Sequence, residues 1–147
     1  MMAKRILVAL DHTEHAESVL PLVADMARGS GATVRLLHVR PVPETREGAR
    51  GRVIAYASQE MERLEAEGLA YLHAVAAPLE GVPVESRVRF GHAVEEIVLE
   101  AEAFGADLIA VASASRSALR RVAFGSVAEK VLKKATVPVM LLAGGVV

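Results

Sequence analysis

Short apolar runs alternate with amphipathic segments along the whole chain, and this alternation constrains the fold more than any other feature of the sequence. Ile6–Leu10, Asp107–Val111 and Pro138–Ala143 have the near-continuous apolar composition of strands that are covered on both faces. Thr33–Val39 is predicted as a further strand. In Val84–Phe90 polar and apolar residues alternate, which is typical of a half-exposed outer strand.

Between these strands, apolar residues recur at intervals of three and four, as they do in helices. The first helix is predicted to begin near Thr13 and to kink at Pro21, which lies inside its pattern. A long helix is predicted over residues 57–79 and a third over 94–101. The fourth helix begins at Ser126, where Ser-Val-Ala-Glu matches a capping box.

Strands that alternate with helices predict an α/β fold, a doubly wound, mostly parallel five-stranded sheet with four helices in three layers. In such sheets ligands bind beyond the carboxyl ends of the strands, where the strand order reverses. If the first and fourth strands are central neighbours, the loops 11–13 and 112–126 meet there. Residues 40–52 are rich in Pro, Gly and Arg, and we predict that they are the least ordered internal segment.

The amino-acid composition excludes several classes of function. A chain of 147 residues predicts a single domain over 1–147, and its 52% apolar content is globular. The net charge of −1 and the scarcity of aromatic residues predict no nucleic-acid partner. Without Cys there are no disulfides or thiolate metal sites, and no structural metal is predicted. The first apolar run is too short for a signal peptide or a membrane span, so a cytoplasmic protein without a membrane partner is predicted. The absence of Asn and the single Gln are typical of a thermophile.

The order and spacing of five segments resemble the universal stress protein family along nearly the whole chain. These segments are ILVALDHTEHAE from Ile6, LLHV ending at Val39, GHAVEEI from Gly91, ADLIAVAS from Ala106, and GSVAEKVLKKATVPVMLL from Gly125. The resemblance implies the strand order 3-2-1-4-5 of the adenine-nucleotide α-hydrolase-like fold. It also implies a homodimer joined through the last strand. The interface residues would be Val137, Pro138, Val139, Met140, Leu141 and Leu142.

The nucleotide-binding branch of that family carries Gly-x2-Gly-x9-Gly-Ser/Thr, and this chain keeps the spacing but only one of the three glycines. Aligned on Gly125 and Ser126, the first glycine falls on Ala112 and the second on Ser115. Glycine allows a positive φ and a close approach of the backbone to phosphate. We therefore expect adenine-nucleotide binding to be weakened. Changing both positions to glycine is expected to tighten ATP binding roughly five- to a hundredfold.

Each of the other candidate ligand residues also has a purely structural interpretation. The resemblance places Ala9, Asp11 and Val39 around an adenine, although Asp11 is equally a residue that ends a strand. Ser126, followed by Val127, is first a helix N-cap, and the backbone N–H groups behind such a cap also form an anion site. Arg116 is either part of a phosphate clamp or part of a solvated basic face. The cofactor would be ATP or AMP, with Mg²⁺ only alongside ATP.

Three functions remain open from the sequence. The first is a dimeric stress-response switch with a weak ATP or AMP site. The second is a dimer that has lost nucleotide binding and acts through a protein partner, which the loss of glycine at Ala112 and Ser115 favours. The third is an enzyme of the wider fold group. The sequence holds no recognisable catalytic set and no Gly-Lys-Ser/Thr, so we expect no enzymatic activity beyond, at most, very slow ATP hydrolysis.

Overall fold

A computed structural model of the chain describes residues 3–11, 14–43, 52–113 and 126–143. Five strands form one parallel sheet, and they are β1 (Arg5–Leu10), β2 (Thr33–Arg40), β3 (Val84–Phe90), β4 (Leu108–Ser113) and β5 (Val139–Ala143). Their order in the sheet is β3-β2-β1-β4-β5, and every neighbouring pair is parallel. The predicted fold class and strand order are confirmed, and so is the prediction that β3 is an outer strand.

The helices of the described residues follow the sequence pattern, with two interruptions. They are α1 (Glu14–Glu17), α2 (Leu20–Ser30), α3 (Arg52–Val75), α4 (Ala93–Phe104) and α5 (Ser126–Lys134), with a short 3-10 helix at Ala77–Leu79. The predicted first helix is divided into α1 and α2, because Pro21 lies in the first turn of α2 and cannot donate a backbone hydrogen bond. No helix within the described ranges is long and apolar enough to cross a membrane.

The alternation of side chains along each strand divides the core into two layers. In β1, Ile6 and Val8 face the layer of α2 and α3, whereas Leu7 faces the layer of α4 and α5. All three side chains are fully buried. This two-sided burial explains why β1 and β4 lack the polar alternation that β3 shows.

Several boundaries differ from those that the sequence predicts. The long helix is predicted over 57–79, whereas α3 spans Arg52–Val75 and the residues Ala77–Leu79, which include Pro78, form the separate 3-10 helix. β4 continues to Ser113, beyond the predicted end at Val111, because Ala112 pairs with Leu142 and Ser113 with Ala143 of β5. Within the segment 40–52, Arg40 ends β2 and Arg52 begins α3. Residues 44–51 lie outside the described residues, and the predicted disorder of this segment stays a prediction.

A buried ionic network joins β2, β3 and α4. The carboxylate of Glu100 accepts hydrogen bonds from Arg35 at 2.6 Å and from Arg89 at 3.1 Å. Each arginine also contacts a second carboxylate, Glu85 for Arg35 and Glu96 for Arg89. Burial by itself lowers the pKa of the Arg35 guanidinium, but its bonds to Glu100 and Glu85 outweigh burial and hold that pKa above its usual value. The Arg35 guanidinium therefore stays charged throughout the neutral range.

Two glycines in helices are expected to respond oppositely to alanine. A Cβ on Gly68 of α3 would lie 2.7 Å from Cγ2 of Val88, whereas a Cβ on Gly29 of α2 would have no atom within 4 Å. We expect Gly68→Ala to lower the free energy of unfolding by about 1–2 kcal/mol, because overpacking outweighs the gain in helix propensity. Gly29→Ala should raise it by up to about 1 kcal/mol.

Chemical denaturation of both variants measures these shifts. Adding Val88→Ala to Gly68→Ala removes the methyl group that is contacted, so the second substitution should cost less in that background than in the parent protein. If Val88→Ala lowers the free energy of unfolding equally in the two backgrounds, then α3 does not pack tightly against β3 at Gly68.

Candidate ligand site at the carboxyl edge of the sheet

The strand order reverses between β1 and β4, and in sheets of this kind the ligand crevice lies at that reversal, at the carboxyl edge. From β1 the chain crosses to β2 on one side, and β4 lies on the other side of β1. Asp11 follows the last residue of β1 directly and is exposed. The structure thus places Asp11 at the switch point that the sequence predicted.

Two half-buried apolar side chains lie on one face of the sheet near this edge. Ala9 of β1 and Val39 of β2 both pack against the core layer of α4 and α5. Ala9 pairs with Leu37 of β2 and Val111 of β4, and Val39 lies two residues beyond Leu37 on the same face. Because both side chains are partly exposed, they form an apolar surface against which a planar ring can pack.

Ala112 belongs to β4 and not to a loop. It pairs with Leu142 of β5, and its half-buried side chain packs against the core layer of α2 and α3. A strand residue has an extended backbone that any amino acid adopts. Glycine is therefore not required at Ala112 for backbone reasons, and this position accounts for little of the expected weakening.

The N-terminus of α5 is at the same edge as Asp11. α5 ends shortly before β5, and the first residue of β5, Val139, pairs with Ile109 near the start of β4. The C-terminus of α5 is therefore at the amino edge of the sheet, and its N-terminus is at the carboxyl edge. Ala128 and Val131 are buried and anchor the helix to the sheet, whereas Val127 is 37% exposed. Cations lie in the last turn, where Lys133 pairs with Glu129. The backbone N–H groups at the start of α5 can donate hydrogen bonds to a bound anion.

The loop between β4 and α5 lies outside the described residues. Ser115, Arg116 and Gly125 fall in it, so their proposed roles stay predictions. Ser126 begins α5, as predicted, although the position of its side chain is not described. Within the described ranges, no group of three His, Asp or Glu side chains is arranged to hold a metal ion.

Sequence reasoning missed the role of His38, which is buried at this edge. Its Nδ1 lies 2.8 Å from the carbonyl oxygen of Leu10, the last residue of β1. The ring also contacts that of Tyr71 in α3, with the centroids 5.5 Å apart. The available signal was a polar residue inside the apolar run of β2, between Leu37 and Val39.

A parallel sheet of this order, with its crevice between β1 and β4, defines the class of adenine-nucleotide α-hydrolase-like α/β proteins. The chain belongs to the universal stress protein family, whose family model matches residues 2–143. Both expectations drawn from the resemblance, the family and the strand order, are confirmed.

Individual relatives support the same assignment. The chain is 29% identical to universal stress protein YxiE of Bacillus subtilis, over 96% of this chain and 99% of that protein. It is 30% identical to the solved structure of protein MJ0577 of Methanocaldococcus jannaschii, with a TM-score of 0.80, over 97% of this chain and 96% of the other. A universal stress protein from Archaeoglobus fulgidus, solved in complex with dAMP, shares the fold with a TM-score of 0.61 at 24% identity, over 96% and 98% of the two chains.

Proposed function

We propose that this chain is a dimeric, cytoplasmic stress-response protein with a weak adenine-nucleotide site at the carboxyl edge of its sheet. The observation that carries the proposal is the convergence of Asp11 and the N-terminus of α5 on the crevice between β1 and β4. The fold that the Archaeoglobus fulgidus protein shares with this chain is compatible with a bound adenine nucleotide, since that protein was solved with dAMP.

Different described residues would contact different parts of the ligand. Ala9 and Val39 provide the apolar face against which the adenine would pack. The amide groups at the start of α5, from Ser126 and Val127, would donate to phosphate oxygens. Asp11 is exposed and acceptor-only when ionised, so it would accept from ribose hydroxyls or the adenine amino group. Mg²⁺ would neutralise phosphate charge when ATP is bound.

We propose binding without rapid turnover, with ATP hydrolysis absent or very slow. The sequence contains no Gly-Lys-Ser/Thr to cradle a triphosphate for reaction. The imidazole of His38, which is close to the site, donates a hydrogen bond from Nδ1 to the carbonyl oxygen of Leu10. A phosphate-release assay of the dimer with ATP and Mg²⁺ tests this, and turnover faster than about one per second, an ordinary enzymatic rate, would contradict it.

The direct test of nucleotide binding is release of adenine from the purified protein. The chain contains no Trp, so its own ultraviolet absorbance is low and adenine is easily seen. Because a ligand bound this weakly dissociates during purification, the protein is first dialysed to equilibrium against ATP, and the adenine in excess of that in the outer solution is counted after heat denaturation. We expect less than one equivalent of adenine nucleotide per chain, and less for Asp11→Ala than for the parent protein.

The second candidate is a dimer that acts only through a protein partner. The replacement of glycine at Ser115 favours it, because a left-handed residue there would be strained. The same argument does not apply to Ala112, because its backbone is extended. Absence of nucleotide from the purified protein, together with no binding of added ATP, would select this candidate.

Dimerisation is proposed through the outer edge of β5. This strand is terminal in the sheet and apolar, and an uncovered apolar edge promotes aggregation. The Ile109 amide donates to the Pro138 carbonyl, and Val139 is the pairing partner of Ile109. Because amides alternate along a strand, those of Val139 and Leu141 point away from β4, toward a second copy.

We expect Leu141→Pro to convert the dimer to a monomer, because it removes an outward amide without breaking a bond to β4. Leu141→Ala is the matched control, since it loses similar core packing but keeps the amide, and it should remain dimeric. Light scattering at micromolar concentration measures both masses. A monomeric parent, or a Leu141→Pro variant as dimeric as Leu141→Ala, would contradict this interface.

A further inference from the structure

A buried side chain of β2 holds the end of the central strand from which Asp11 extends. His38 is 6% exposed, and its Nδ1 lies 2.8 Å from the carbonyl oxygen of Leu10. A carbonyl oxygen only accepts, so Nδ1 carries the proton and donates it. Leu10 is the last residue of β1, and the bond therefore fixes the backbone immediately before Asp11.

The end of α1 is held from α3. The hydroxyl of Tyr71 donates to Oε2 of Glu17, the last residue of α1, at 3.0 Å. The Tyr71 ring also contacts the ring of His38 with an interplanar angle of 60°. Two side chains in mutual contact thus hold Leu10, the residue before Asp11, and Glu17, the last residue of α1.

Gly68 of α3 lies beside the ring of His38. A Cβ at Gly68 would lie 3.5 Å from Cδ2 of His38, so the imidazole is enclosed between α3 and the end of β1. In the same strand Leu36 faces the same layer and is fully buried and apolar, which shows that this layer readily accepts hydrocarbon. A buried imidazole is costly without a hydrogen bond, and the bond to Leu10 compensates for that cost.

We propose that His38 and Tyr71 are positioning residues of the nucleotide site. They hold Leu10 and Glu17 so that Asp11 is already in place when the ligand arrives. This inference rests on the proposed function for its ligand, whereas the restraint on Leu10 and Glu17 is a property of the free protein. The two parts are therefore tested separately.

Hydrogen exchange of the ligand-free protein tests the restraint. Amides of Leu10, Asp11 and residues 14–17 should exchange about fivefold or more faster in His38→Leu, because a hydrogen bond of ordinary strength is lost. His38→Asn keeps an N–H close to the position of Nδ1 and should exchange like the parent. The matched control is His73→Leu, at an exposed histidine of α3. Unchanged exchange in His38→Leu would overturn the proposal.

ATP titration of the same variants tests the positioning. His38→Leu should weaken ATP binding about fivefold or more, Tyr71→Phe two- to fivefold, and His38→Asn less than twofold. In an Asp11→Ala background, His38→Leu should have no further effect on ATP affinity, because its influence passes through Asp11. A general loss of structure would instead weaken binding equally in both backgrounds, which overturns positioning.

The outcomes separate this inference from the proposed function. If the parent protein binds no ATP while exchange in His38→Leu is faster, the nucleotide function and the positioning role both fail, and only the structural restraint remains. If the parent binds ATP and His38→Leu binds it equally well, the nucleotide function stands and the positioning role is overturned.

Discussion

Glu100→Gln is expected to lower the free energy of unfolding by about 3 kcal/mol, the low end of the cost of breaking a buried ion pair. The Glu100 side chain is 7% exposed and bonds to Arg35 and Arg89 at the same time. Gln preserves its volume but removes the charge that both guanidiniums face. Because Arg35 keeps Glu85 and Arg89 keeps Glu96, the loss should not reach the upper end of that range.

This change should lower the melting temperature by roughly 6–12 °C. The guanidinium of Arg35 also lies 4.2 Å from the centre of the Phe104 ring, so it cannot turn to solvent without losing that contact. Glu102→Gln, at an exposed position two residues further along α4, is the matched control and should shift the melting temperature little. Equal shifts for the two variants would show that the network contributes no net stability.

Ser115→Gly is expected to tighten ATP binding by about five- to thirtyfold, from the removal of a left-handed penalty of about 1–2 kcal/mol. The position corresponds to the second glycine of the family motif and lies outside the described residues, so this expectation rests on the sequence alone. Ser117→Gly, in the same loop but outside the motif, is the control for a general gain in loop flexibility and should change affinity little.

Ala112→Gly is expected to give no comparable gain. Ala112 is an extended residue of β4 whose side chain packs against the core, so glycine there provides no backbone freedom that binding requires. It should instead lower stability by about 0.5–1 kcal/mol, because glycine weakens a strand. The benefit of the double substitution that the sequence predicts is therefore assigned to Ser115 alone.

The sheet was predictable from the sequence because each strand leaves a local signal. Continuous apolar runs in β1 and β4 follow from burial on both faces, and the alternation in β3 follows from its place at an edge. The strand order itself came from the family resemblance, since alternation of strands and helices does not fix which strands are neighbours. The end of β4 was misplaced because Ser113 is polar, although it pairs with Ala143.

The candidate site was only partly predictable. Asp11 and Ser126 are found at the edge that the topology implies, because a residue that follows a strand or begins a helix has a recognisable position. The contacts of His38 with Leu10 and Tyr71 join β2, β1 and α3, and no local pattern encodes contacts between such distant segments. The ionic network around Glu100 was missed for the same reason, since Arg35, Arg89 and Glu100 lie on three different elements.

Calorimetric titration of the parent protein and of Ser115→Gly with ATP and Mg²⁺ tests the central claim most directly, namely that a weakened adenine-nucleotide site lies between β1 and α5. We expect the parent to bind with a Kd of roughly 0.1 mM or weaker and Ser115→Gly to bind at least fivefold more tightly. Asp11→Ala should weaken binding about tenfold in both, because a hydrogen bond to a charged group is lost. Tight binding by the parent with no gain in Ser115→Gly would make Ser115 a phosphate ligand, and binding unaffected by Asp11→Ala would place the nucleotide elsewhere.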